Sequence, residues 1–152
     1  MGLVGVEMGA YAALRAAAQD KGVIVLALDS VPRTPNELVQ TTVTSDLGMR
    51  VPLVPDLASL ATKAYFLGLY ENTPACQIAA SLSTQRVLLL SGPDAGALRE
   101  STIELARCFR EPAKVDIKTD LPLTAFNLPS ATGQDGERYD RQIIEFLDNN
   151  LR

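Results

Sequence analysis

Leu3-Val4-Gly5-Val6-Glu7-Met8-Gly9 is the stretch whose reading decides the fold. A short apolar run leads into it, an alanine-rich pattern leads out, and a glycine stands two positions either side of Glu7. A chain that turns sharply from strand into helix brings the strand end against the first helical turn. Small residues are therefore needed on both sides of the turning position, and Gly5 and Gly9 meet that need. Glu7 then stands at a helix N-terminus, where unpaired N–H groups and the helix dipole favour negative charge. The plain expectation is a carboxylate held by backbone amides. The chemical alternative is a carboxylate nucleophile or general base.

Working outward, the pattern alternates strand and helix, which predicts an α/β fold: about four strands in a mainly parallel sheet with helices on both faces. Strands are expected at Gly2 to Val6, Val23 to Leu28, Arg86 to Leu90 and Lys114 to Lys118. The second is continuously apolar, as suits a central strand buried on both faces; the fourth alternates apolar and charged residues, as suits an edge. Between Gly9 and Asp20, Ala10, Ala13, Leu14 and Ala17 form a small-residue stripe for close packing. Further helices are expected near Asn36 to Gln40, from Asp56 to Tyr70, from Pro74 to Leu82, from Leu98 to Arg110 and from Glu137 to Asn150. The whole chain, 1–152, reads as one α/β domain, with 30–84 as an irregular and helical cap-like insert punctuated by Pro32, Pro35, Pro52 and Pro55.

Composition narrows the function. The 152 residues are 47% hydrophobic, enough for a core without staples. The longest apolar runs are too short to cross a bilayer, and Met1-Gly2-Leu3 carries no basic leader, so a cytoplasmic location is expected. A net charge of −4 without a basic face argues against nucleic acid and anionic membrane as partners. There is no histidine, which removes the commonest metal ligand and the usual general base near neutral pH. No metal or cofactor is expected. Cys76 and Cys108 lack the spacing of a zinc or redox motif and read as buried, reduced thiols.

Other features take structural readings. Tyr11, Tyr65, Phe66 and Tyr70 read as core, Ser101 with Glu104 has capping-box spacing, and Arg33, Arg50 and Arg86 read as solvated. Gly92-Pro93-Asp94-Ala95-Gly96 lacks the lysine and spacing of a phosphate loop.

The order of elements from Gly2 onward resembles the second half of an α/β-hydrolase of the esterase, dienelactone-hydrolase and peptidase-like branches. Gly5-Val6-Glu7-Met8-Gly9 resembles the nucleophile elbow, with Glu7 in place of serine. The stretch Glu71-Asn72-Thr73-Pro74 through Arg86 to Gly92 is similar to the approach to the acid strand, and Tyr139-Asp140-Arg141 through Phe146-Leu147 to the closing helix. The resemblance implies that the Met8 amide would be one oxyanion donor, that Asp94 stands near the acid position, and that a histidine belongs in 120–127. There the chain has Leu123, Thr124, Ala125 and Phe126. Nucleophile and base are both missing, which implies a degenerate triad.

The strands that precede the elbow in that family have no counterpart here. The first strand would then expose an apolar edge that calls for a cover. A homodimer through that edge is the simple expectation; a separate partner, or a longer natural chain, supplying the missing half is the other. Three functions stay open: a non-catalytic, structural or binding protein; a hydrolase using Glu7 with Asp29 or Asp94; or a small-molecule binding module at the crevice beyond the strand carboxyl ends, where Glu7, Asp29 and Asp94 lie.

Overall fold

The computed structural model describes residues 1–45, 57, 60–61, 72–121 and 133–151. Its elements are β1 (Gly2–Val6), α1 (Met8–Gln19), β2 (Val25–Asp29), α2 (Pro35–Ser45), α3 (Ala75–Ala79), β3 (Arg86–Leu90), α4 (Ala97–Ala106), β4 (Val115–Lys118) and α5 (Gln134–Leu151). The strands form one parallel sheet in the order β1-β2-β3-β4, with Val6 opposite Asp29, Asp29 opposite Leu90 and Leu90 opposite Lys118. The predicted α/β class, the central β2 and the edge β4 all stand as expected. The expected helix from Asp56 to Tyr70 lies largely outside the described residues.

Strands that follow one another in sequence and in space, joined by right-handed crossovers, deliver their connecting helices to a single face. That is where α1, α3 and α4 pack, their Leu14, Ile78, Ala79 and Leu105 closing over Leu26, Leu28, Val87 and Leu89. Helix α5, which follows β4 in the chain, lies on the opposite face. There Tyr139 and Phe146 of α5 cover Val25, Ala27, Leu88 and Leu90. Helix α5 reaches β2 and β3 and only the start of β1, where Gly2 lies against Leu147 and Leu151. Val4, in mid-strand, keeps 52% of its surface exposed.

Local chemistry moves several boundaries. The Val23 N–H closes a turn on the Asp20 carbonyl, so β2 begins at Val25 although Val23 is fully buried. Helix α2 runs longer than expected because Thr34-Pro35-Asn36-Glu37 is a capping signal. The Thr34 hydroxyl accepts the Glu37 N–H at 3.2 Å, and the Glu37 carboxylate takes the Arg33 N–H at 2.6 Å. The pair expected to cap, Ser101 and Glu104, does not, since Ser101 lies inside α4 and donates to the carbonyls of Val31 and Leu98. Thr102 accepts the Val31 N–H at 2.9 Å, so α4 satisfies both polar groups of that peptide as the chain leaves β2.

Arg33 is exposed, as expected, and also pairs with Glu104 at 2.8 Å and Glu37 at 3.4 Å. The sulfur expectation is corrected. Cys76 and Cys108 are not free thiols: they form a disulfide with Cα atoms 5.2 Å apart, joining α3 to the turn after α4. Their sequence spacing carried no sign of this, because it is the packing of α3 and α4 on the same face that makes them neighbours. Across a separation of 32 residues, chain entropy alone makes such a link worth about 3–4 kcal/mol.

The glycines flanking Glu7 have unequal duties. A Cβ on Gly5 would lie 2.4 Å from the Gly9 carbonyl oxygen and 2.7 Å from the Ala10 nitrogen, whereas one on Gly9 would meet nothing within 4 Å. Gly5→Ala should therefore lose at least about 2 kcal/mol in urea denaturation or fail to fold, because backbone cannot yield. Gly9→Ala should be neutral or mildly stabilising.

Candidate functional site

The bend after β1 places Glu7 at φ 51°, ψ −111°, a conformation that side-chain-bearing residues rarely adopt and that costs about 1–3 kcal/mol. Surrounding bonds impose it. The Glu7 N–H donates to the Asp29 carbonyl at 2.8 Å, its carbonyl accepts the Tyr11 N–H at 3.0 Å, and the bare Cα of Gly5 lets the first turn of α1 come down on the strand. The Glu7 side chain is 9% exposed and makes no capping hydrogen bond to α1. The expected hold on the carboxylate by helix amides is not made as a cap of α1, while Glu7 occupies the bend as expected.

The same pattern recurs along the rim. The Ser30 N–H donates to the Leu90 carbonyl at 2.9 Å and the Ser91 N–H to the Lys118 carbonyl at 3.0 Å. Glu7, Ser30 and Ser91 therefore form one rung just beyond the carboxyl ends of β1, β2 and β3, and all three are buried. Ser30 also has a positive φ, 54°. Among the described residues the Ser91 hydroxyl has no hydrogen-bond partner. Ser30 and Ser91 were missed as rim residues; the available signal was a hydroxyl directly following an apolar strand.

Asp29 is 1% exposed and anchors structure. Its carboxylate accepts the Ser30 hydroxyl at 2.7 Å and the Tyr139 hydroxyl at 2.9 Å, tying α5 to the end of β2. The Tyr139 phenol is pushed far above its usual range, first by burial, then by the Asp29 charge and the hydrogen bond to it. Tyr139 was legible as an inner-face residue, and its buried hydroxyl required a partner.

The remaining candidates are dispersed. Asp94 is exposed in the 3₁₀ turn Pro93–Ala95 and makes no hydrogen bond or ion pair with a described residue. Met8 opens α1 with its side chain exposed. Of the stretch expected to carry a histidine, Asp120 pairs with Arg138 at 3.6 Å and Leu121 is buried, while 122–127 fall outside the described residues. Tyr11 is core, as expected; Tyr65, Phe66 and Tyr70 fall outside. Among the described residues no three His, Cys, Asp or Glu side chains gather as a metal site.

A parallel sheet entered through a strained strand-to-helix bend defines a partial α/β-hydrolase fold, and solved structures bear this out. An esterase from Pyrococcus furiosus superposes with a TM-score of 0.72 at 16% identity, over 99% of this chain and 54% of its own. An acylaminoacyl peptidase from Pyrococcus horikoshii gives 0.66 at 13% identity, over 99% and 24%. An α/β-hydrolase from Sphaerobacter thermophilus gives 0.57 at 18%, over 95% and 66%. The chain thus spans about half the length of the esterase. No protein-family model and no curated protein matches the sequence.

The raised phenol gives a pH test. Folded Tyr139 keeps its proton where an unfolded tyrosine, near pKa about 10, releases it, so the folded state binds more protons and stability falls as pH rises above about 10. Tyr139→Phe should remove that one-proton contribution to the alkaline loss. It should also cost about 1–3 kcal/mol at pH 7, since a buried carboxylate loses a donor. Urea denaturation of both proteins between pH 7 and pH 11 measures the two effects.

Proposed function

We propose that this chain is a non-catalytic protein of α/β-hydrolase fold, with a structural or binding role, that self-associates through β1. The observation that carries the reading is the occupant of the bend: a buried carboxylate where hydrolysis by a serine route needs a hydroxyl, in a chain without histidine. A serine nucleophile works through a base that takes its proton, and no histidine is present to do so. A carboxylate route would need Glu7 paired with a second acid. Asp29 is bonded to Ser30 and Tyr139, and Asp94 is exposed on a turn, which weighs against both.

A binding role at the rim is the second reading, supported by the buried Ser91 hydroxyl beside Ser30. Glu7, Asp29 and Asp94 were the expected binding residues; the rung Glu7, Ser30 and Ser91 is the better-supported set.

Self-association rests on β1. It ends the sheet, no described strand pairs its outer edge, Val4 is exposed, and Gly2–Val6 carries no charge to repel an identical strand. Two copies pairing β1 about a two-fold axis would make one sheet of about eight strands. A cytoplasmic setting belongs to this reading, as does the lack of nucleic-acid partners, which the net charge of −4 supports. No helix among the described residues is long and apolar enough to cross a membrane.

Two measurements test the proposal. Neither the protein nor Glu7→Ser should hydrolyse p-nitrophenyl esters above background; turnover lost in Glu7→Ala would overturn the non-catalytic reading. Sedimentation at micromolar concentration should give twice the chain mass, and Val4→Lys should halve it; a stable monomer at tens of micromolar would rule out edge pairing.

A further inference from the structure

We infer that the Cys76–Cys108 disulfide is a reversible redox latch, opened by thiol–disulfide exchange, that clasps α3 to α4 without being needed for the fold of the sheet. Three observations carry this. The bond is accessible: Cys76 is exposed and Cys108 partly so. Only its Cys108 end packs against the main core. A slot of about 170 Å³, lined by both cysteines with Pro74, Ala75 and Leu105, opens beside the bond and leaves it a path of approach. Each side also has its own anchorage. Ala75, Ile78 and Ala79 are buried with α1 in the main core, and Leu105 and Phe109 hold the other end.

What the latch governs follows from its neighbours in sequence. The Ala75 N–H donates to the Arg33 carbonyl at 2.7 Å, the Thr73 carbonyl accepts the Tyr11 hydroxyl at 2.6 Å, and the Asn72 side chain accepts the Asn36 N–H at 3.2 Å. These bonds join the approach to α3 to α1 one turn beyond Glu7 and to the start of α2. With the disulfide closed, that junction is fixed at both ends; with it open, only hydrogen bonds and apolar contact hold it.

The exchange is balanced. A thiolate of a dithiol reductant attacks Sγ of Cys76, the better exposed sulfur, and the S–S bond breaks with its electron pair leaving on Cys108, which takes up a proton. The second thiol of the reductant then displaces Cys76 from the mixed disulfide. Two protein thiols and one oxidised reductant result, a two-electron change. Exposed disulfides are the labile ones, whereas packed structural staples resist exchange.

The test uses the full chain and dithiothreitol in native buffer, with iodoacetamide labelling read by mass. The unreduced protein should take no label and the reduced protein two. Circular dichroism should stay unchanged, and amide exchange should rise in α3 and in 107–110 while β1, β2 and β3 stay protected. The melting temperature should fall by roughly 10 °C and recover on reoxidation. The double variant Cys76→Ser, Cys108→Ser should match the reduced protein. Labelling before reduction, labelling only after denaturant, or exchange spreading through β1 to β3 on reduction would each overturn the latch. If the double variant fails to fold, the reduced wild type decides on the same criteria.

Discussion

The contact of backbone with backbone between Gly5 and Gly9 is the constraint on which the rest depends. It lets α1 begin two residues after β1 ends and forces Glu7 into a left-handed bend. It also brings Leu14 and the small residues of α1 down onto the sheet. A side chain at Gly5 would lift the helix by more than the core could follow, since well-packed interiors do not stretch. The strain at Glu7 is local, but its support is spread over the Asp29 carbonyl, the Tyr11 amide and the buried face of α1.

The opposite face depends on a different chemistry. Among the described residues α5 and Leu121 cover it, and besides apolar contact α5 is joined by the Tyr139 hydroxyl to the Asp29 carboxylate. A buried carboxylate is expensive unless hydrogen-bonded. The Ser30 and Tyr139 hydroxyls supply such bonds, so the same acid that ends β2 fixes the angle at which α5 returns. On the other side α4 does similar work with neutral groups, Ser101 and Thr102 taking both polar atoms of the Val31 peptide. The exits from β2 are thereby held from both faces, which is consistent with Ser30 keeping a positive φ.

The strand and helix order was legible because its signals are local: β1 and β3 fall on their predicted residues, and the inner faces of α1, α4 and α5 follow helical spacing. What escaped depends on distance in sequence. Cys76 and Cys108 become partners only once α3 and α4 share a face, and Ser101 caps nothing because Val31, seventy residues away, claims its hydroxyl. The Thr34 to Glu37 cap is local and readable, but Pro32 and Pro35 beside it carry the opposite signal of an irregular segment. Of the site, Glu7 at the bend could be read from its glycines. The alignment of Ser30 and Ser91 beside it could not, since it rests on strand register.

That register bears on the proposed loss of chemistry. In the bend, whatever residue follows Val6 is pressed beside the ends of β2 and β3, where backbone amides are already spent on the next strand's carbonyls: Glu7 on Asp29, Ser30 on Leu90, Ser91 on Lys118. Groups committed in this way stabilise the rim; the Met8 amide, the oxyanion donor that the resemblance implies, is not one of them. A carboxylate in the seat would oppose a developing negative charge by like-sign repulsion. The proposed loss of chemistry thus rests on Glu7 in the seat and the lack of histidine, and strand register adds a rim whose strand-end amides hold the next strand.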